Sequence, residues 1–182
     1  MHDHIERTLF HATTILARID ELAQQITEDY RDKELTVVAV LNGALMFMAD
    51  LLRRIPLPLR LDCISVSSYR GGTETTGEVT FNQLSLPDIN GRDVLIVDDI
   101  LDSGLTLSAI CEKLQRETRA KSIRSCVLLR KIKTRLRPVE AHYVGFDIGD
   151  EFVVGYGLDY QERYRNLPFI GTLRSEIISP AE

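Results

Sequence analysis

Apolar positions along the chain follow two rhythms, and their alternation predicts most of the architecture. Between residues 14 and 30, Ile15, Leu16, Ile19, Leu22, Ala23 and Ile26 recur at three- and four-residue spacing with charges between them. Such a segment is an amphipathic helix with one face on a core. Val37 to Leu41 is a short unbroken apolar run, Asn42-Gly43 interrupts it, and Leu45, Met48, Leu51 and Leu52 resume helical spacing. This reads as strand, tight turn, helix. LDCISVS, 61 to 67, is expected to be a strand, and Val94 to Val97 is a second fully apolar one, followed after several aspartates by Leu107, Ile110, Cys111 and Leu114 on one helical face. Ser125 to Leu129 and Tyr143 to Phe146 supply two more short strands. Apolar strands alternating with amphipathic helices indicate an α/β fold, a mostly parallel sheet covered on both faces.

Two stretches break the rhythm. RGGTETTG, 70 to 77, has three glycines and no apolar anchor, so an exposed, mobile loop is expected there. EFVVGYGLDYQERYRNLPFIG, 151 to 171, places Phe152, Tyr156, Tyr160 and Tyr164 four apart, yet Gly155 and Gly157 argue against a helix. A strand, a turn and an irregular lobe over the sheet are expected instead.

At 182 residues and 44% hydrophobic content, one domain can bury a full core. The net charge of -5 argues against the nucleic-acid backbone as the main partner and leaves small anionic ligands open. Cys63, Cys111 and Cys126 are odd in number, widely spaced and set in apolar surroundings, which fits buried thiols in a reducing compartment. MHDHIERTLF lacks signal-peptide organisation and no run reaches the length of a membrane span, so a cytoplasmic setting is expected.

The candidate chemistry sits in DVLIVDDILDSGLTLSAI, 93 to 110. In an open parallel sheet, ligands bind beyond the carboxyl ends of the strands, where Asp98, Asp99, Asp102, Ser103, Gly104 and Thr106 are expected to lie. Gly104 permits close backbone approach, the turn amides and helix dipole suit an anion, and Ser103 and Thr106 add hydroxyls. The carboxylates would repel that anion, so they must face sugar hydroxyls or hold magnesium. Together the segment describes a ribose 5-phosphate cradle. A solvated acidic loop and a simple helix cap are the plainer readings of the same residues. No GxxxxGK[ST] occurs, so a Walker-type loop is excluded.

VLIVDDILDSGLTL resembles the phosphoribosyl pyrophosphate motif of the type I phosphoribosyltransferases. LNGALMFMADL (41 to 51), SSYRGGTETTGEV (67 to 79) and VGFDIGDEFVVGYGLDYQERYRNLP (144 to 168) are similar, in the same order, to the pyrophosphate loop, mobile lid and purine lobe of the purine-salvage members. The resemblance implies a Rossmann-like fold in a single domain, 1 to 182. Its core would span about 14 to 148, a small hood would come from 1 to 13 and 149 to 182, and a lid from 68 to 78. It implies transfer of the 5-phosphoribosyl group from phosphoribosyl pyrophosphate to hypoxanthine and/or guanine, with Mg2+ as cofactor. A homodimer or homotetramer is implied as well.

By the same resemblance, Asp98 and Asp99 would meet the ribose hydroxyls and magnesium, and Asp102 would be the general acid/base at purine N7. Ser103, Gly104, Leu105 and Thr106 would hold the 5-phosphate. Leu41, Asn42 and Gly43 would form the pyrophosphate loop, with Leu41-Asn42 strained or cis, and Ser68 and Tyr69 would ride on the lid. Lys131 would recognise the exocyclic oxygen of the base; a protonated lysine donates only, which favours a 6-oxopurine over adenine. Phe152 would stack on the purine, Val153 would offer its backbone, Asp159 would help hold magnesium and Arg165 would bind pyrophosphate. Asn42 departs from the usual lysine, Asp98 from glutamate and Ser103 from threonine. The rivals are a regulatory protein on the same scaffold that binds RNA or DNA through RKIKTRLR, 130 to 137, and a xanthine-preferring relative.

Overall fold

The structure is a computed structural model describing residues 1–68, 79–82 and 85–178. The expected lid, including Tyr69, falls largely outside the described residues. After a short 3-10 turn at His2–His4 the elements run β1 (Ile5–Phe10), α1 (Ala12–Asp29), β2 (Leu35–Leu41), α2 (Leu45–Leu52), β3 (Arg60–Ser68) and β4 (Val79–Phe81). They continue with β5 (Asp93–Leu101), α3 (Leu105–Glu117), β6 (Ser122–Lys131), β7 (Tyr143–Ile148), β8 (Val153–Val154) and β9 (Ile170–Leu173).

Six strands form one sheet in the order β4-β3-β2-β5-β6-β7, parallel throughout except for β4. β2 and β5 carry unbroken apolar runs, Val37 to Leu41 and Val94 to Val97, because both faces of the sheet are covered there. Val37, Ala39, Leu95 and Val97 pack with α1 and α2 on one face, contributing to a core with Ile15, Ile19, Leu22, Ile26, Phe47 and Leu51. Val38, Val40, Val94 and Ile96 point the other way, onto Leu107, Ile110 and Leu114 of α3. Fully burying one such aliphatic side chain contributes about 1.5–3 kcal/mol, so these two layers clasp the sheet between helices.

The chain ends make a second, three-stranded antiparallel sheet, β1-β9-β8, with its own core of Val154, Tyr164, Leu167 and Leu173. The hydrophobic pattern does not announce β1. IERTLF has no clean alternation, and its strand character comes from pairing with β9, near the other end of the chain, at the Ile5↔Leu173 register.

Strand order decides where a ligand can enter. From β2 the chain moves outward to β3, and from β5 it moves outward the opposite way, to β6 and β7. The carboxyl ends of β2 and β5 therefore flank a topological switch point, where the two sets of loops diverge and leave a crevice.

Candidate active site

β5 does not end at Val97, as its apolar run suggested, but continues through the aspartates to Leu101. Its pairing with β2 stops at Ala39↔Val97, while β6 is long enough to pair with it as far as Leu101↔Arg130. Asp98 and Asp99 are thus held in extended backbone by β6 on one side and open to the crevice on the β2 side. Asp98 is buried, and its Oδ1 accepts the Asp99 amide at 2.9 Å. Across the crevice the Leu41-Asn42 peptide is cis, and Gly43 lies so close to the Asp99 carboxylate that any Cβ there would overlap it.

Burial pushes the Asp98 carboxyl well above the ordinary carboxylate range, and the neighbouring Asp99 charge pushes it further. Asp99 is also raised by burial, against the opposing pull of its hydrogen bonds with Asp98 and the Ile100 amide and the charge of Arg165. Two adjacent carboxylates, Asp98 buried and Asp99 partly so, that resist ionisation together suit a hard cation, and magnesium takes one or two carboxylates plus substrate oxygens and water. The donor set therefore fits Mg2+. Among the described residues, no three-carboxylate cluster gathers Asp159 with this pair; Asp159 lies 3.0 Å from Arg165 instead.

Beyond β5 the chain turns through Asp102, Ser103 and Gly104 into α3. Gly104 has φ +81°, and a Cβ there would come within 2.5 Å of the Arg137 carbonyl, so the turn requires glycine. Ser103 Oγ accepts the Leu105 amide at 3.4 Å, and the Gly104 carbonyl accepts Ser108 N–H at 3.0 Å as the helix begins. The first-turn amides of a helix lack intrahelical acceptors, and the first turn of α3 carries no acidic side chain, so Ser103 to Thr106 present an anion-suited end.

Lys131, the last residue of β6, is buried, with Nζ 3.2 Å from Asp102 Oδ2. Asp150, in the connection after β7, lies 3.1 Å from the same ammonium, and Lys133 approaches both carboxylates, at 2.6 Å from Asp102 Oδ1 and 2.8 Å from Asp150 Oδ1. Reasoning from the sequence missed Lys133 and Asp150. Nothing in RKIKTRLR or in FDIGDEF distinguishes them from solvated charges; only the fold joins them.

The remaining expected residues come from the small sheet and its connection. Phe152 is 43% exposed and meets Tyr160 edge-on at 5.7 Å, so its ring is available rather than buried in a core. Val153 opens β8, paired with Thr172. Arg165 donates to the Gly157 carbonyl at 2.8 Å and reaches Glu162 at 3.0 Å. Gly157, at φ +103°, abuts the Gly43 carbonyl so closely that a side chain would not fit. Arg165, Gly157, Gly43 and Asp99 therefore form one contiguous line across the crevice. Ser68 closes β3 opposite Val79. Asn42 is exposed.

The basic run is largely neutralised within the chain. Arg130 pairs with Asp147, Arg135 with Glu140, and Lys131 and Lys133 with Asp102 and Asp150. This leaves little of it to form a nucleic-acid surface. Among the described residues no helix is long and apolar enough to cross a membrane.

A switch-point crevice with paired aspartates, a glycine-cornered turn at a helix N-terminus and a buried lysine beside a carboxylate is an arrangement on an α/β sheet that suits a sugar phosphate. The phosphoribosyl transferase domain family matches residues 7–161, and the chain belongs to that family. It is 48% identical to hypoxanthine-guanine phosphoribosyltransferase from Staphylococcus epidermidis over 98% of this chain and 99% of that one, and equally so to the Staphylococcus aureus enzyme. A crystal structure of a hypoxanthine phosphoribosyltransferase from Staphylococcus aureus superposes with TM-score 0.93 at 47% identity, covering 99% of this chain and 97% of that one. A hypoxanthine-guanine phosphoribosyltransferase from Bacillus anthracis gives 0.86 at 41% identity, covering 94% and 99%.

Proposed function

We propose that this chain is a purine-salvage transferase that moves the 5-phosphoribosyl group from phosphoribosyl pyrophosphate to hypoxanthine and/or guanine. The products are the purine 5′-mononucleotide and pyrophosphate. The observation that carries this reading is the pairing of Lys131 with Asp102 at 3.2 Å. In a 6-oxopurine the C6 oxygen and N7 lie on one edge of the ring system. A donor-only ammonium beside a carboxylate matches that edge, whereas the amino group of adenine would meet the lysine donor to donor.

In this mechanism the Ser103–Thr106 turn holds the 5-phosphate, and Asp98 and Asp99 face the ribose, where positive charge develops as pyrophosphate departs. Lys131 fixes the base through its C6 oxygen, Phe152 covers its face, and the Asp102 carboxylate takes the N7 proton as N9 bonds to the anomeric carbon. Arg165 faces the departing pyrophosphate. Magnesium, held by Asp98 and Asp99 and at a second position by Asp159, would supply charge neutralisation for that leaving group. We read the small sheet as a hood over the base, and a cytoplasmic homodimer or homotetramer belongs to the same proposal; sedimentation velocity tests the assembly.

The test is direct. The protein is mixed with phosphoribosyl pyrophosphate, magnesium and, separately, hypoxanthine, guanine, xanthine or adenine, and nucleotide is followed by chromatography. Product with hypoxanthine or guanine and none with adenine is expected. No product with any 6-oxopurine overturns the reading.

A further inference from the structure

We propose that Lys133 is a positioning residue for the base-reading pair, acting through Asp102 and Lys131; the proposal rests on the transferase reading above. Strand alternation persists just past the end of β6, so Lys131 and Lys133 turn to the same side while Ile132 between them is 61% exposed. Both ammoniums donate well-directed hydrogen bonds to Asp150 Oδ1, at 3.1 Å from Lys131 and 2.8 Å from Lys133. Their contacts with Asp102 are close but differently made. Lys133 Nζ is 2.6 Å from Asp102 Oδ1, yet that oxygen is buried and has no hydrogen-bond partner of suitable direction. Asp150 is therefore the better-directed partner of both ammoniums, whereas Asp102 is held chiefly by the charge of the two ammoniums beside it.

The charge count explains what Lys133 adds. Two ammoniums face two carboxylates, and each ammonium has three N–H groups. With Lys133 present, Asp150 remains satisfied and Asp102 remains compensated when Lys131 turns one N–H toward a purine oxygen. Without it, a single ammonium faces both carboxylates and is pulled toward them in competition with the base. The neighbouring charges do not take over this task, since Arg130 and Arg135 are engaged by Asp147 and Glu140. A plain surface ion pair would leave catalysis untouched, and with the Lys133 side chain 30% exposed its field is partly screened, so the expected effect is moderate.

The experiment measures steady-state kinetics for the wild type, Lys133→Ala, Lys133→Arg, Asp102→Asn and the Lys133→Ala/Asp102→Asn double variant, with thermal melts of each. Lys133→Ala should lower kcat/KM for the 6-oxopurine by about 10-fold while KM for phosphoribosyl pyrophosphate moves less than about 2-fold, and Lys133→Arg should recover most of the loss. Because the effect runs through Asp102, Lys133→Ala should cost less than about 2-fold more in the Asp102→Asn background. Equal losses toward both substrates, an undiminished loss in that background, or no loss at all would overturn the proposal. The wild-type rate in the same assay separates this failure from failure of the transferase reading, which would abolish product altogether.

Discussion

Asp102 and Lys131 touch one another, yet the chemistry asks different things of them, and single substitutions separate the two. Asp102→Asn keeps the shape of the turn and removes the proposed proton acceptor, so kcat should fall by about 10²- to 10⁴-fold with little change in the dissociation constant for phosphoribosyl pyrophosphate. Lys131→Ala should instead raise KM for the purine far more than for the sugar substrate; equal losses would make Lys131 structural. Asn42 supplies a gain-of-function counterpart. It is exposed beside the crevice and uncharged, and Arg165, the cation that reaches the adjoining Gly157, is shared with Asp159 and Glu162. Asn42→Lys should therefore lower KM for phosphoribosyl pyrophosphate by about 3- to 10-fold, the scale of a solvent-screened charge, and strengthen product inhibition by pyrophosphate. Steady-state inhibition patterns check both effects. The aspartates and the Ser103–Thr106 turn were legible because they are contiguous, so one stretch of sequence displays the whole arrangement. Lys133 and Asp150 were not, because ion pairs between residues 17 to 31 positions apart leave no local pattern.

The elements were legible where burial on two faces writes an unbroken apolar run, as in β2, and less so where pairing alone decides. β5 outlasts its apolar run because β6 continues to pair with it, and β1 exists because β9 lies beside it. Neither partner is visible from within the strand. α3 links this scale to the site: its N-terminal turn is the proposed phosphate end, and Leu107, Ile110 and Leu114 seat it on Val94, Ile96 and Val127. Ile110 is fully buried, so Ile110→Ala should cost about 2–5 kcal/mol of unfolding free energy through lost burial and the cavity left behind. Denaturant unfolding measures this. A helix seated less firmly should also raise KM for phosphoribosyl pyrophosphate more than KM for the base, since Lys131, the proposed base reader, is carried by β6. A stability loss with both constants unchanged would uncouple α3 packing from the phosphate turn.

At the scale of the whole molecule, the proposed chemistry occupies the carboxyl ends of the parallel strands, and a set of tyrosine clamps fastens the opposite end and the segment after β8. Tyr143, at the start of β7, donates to Asp29 of α1 at 2.5 Å, and Arg124 of β6 reaches the same carboxylate at 2.8 Å. Tyr30 reaches the Val94 carbonyl at the start of β5, and Tyr156, just after β8, donates to Asp50 of α2. Burial, reinforced by the Asp29 hydrogen bond, pushes the Tyr143 hydroxyl up to about 12, and burial raises Tyr30 and Tyr156 as well. An unfolded tyrosine loses its proton near pH 10, so between that value and the folded one the native state binds more protons than the unfolded chain. The stability these groups contribute is therefore fully present below about pH 10 and is lost as pH rises through the folded values. Melting temperature should be nearly level from about pH 8 to 9 and fall steeply above 10. Tyr143→Phe should make that alkaline decline shallower, and an equally steep decline would remove Tyr143 from the account. Because this clamp and the crevice lie at opposite ends of the sheet and share no partners, the same variant should keep its purine kcat/KM at about pH 8. A change in that constant would mean that the two ends of the sheet are coupled through its strands.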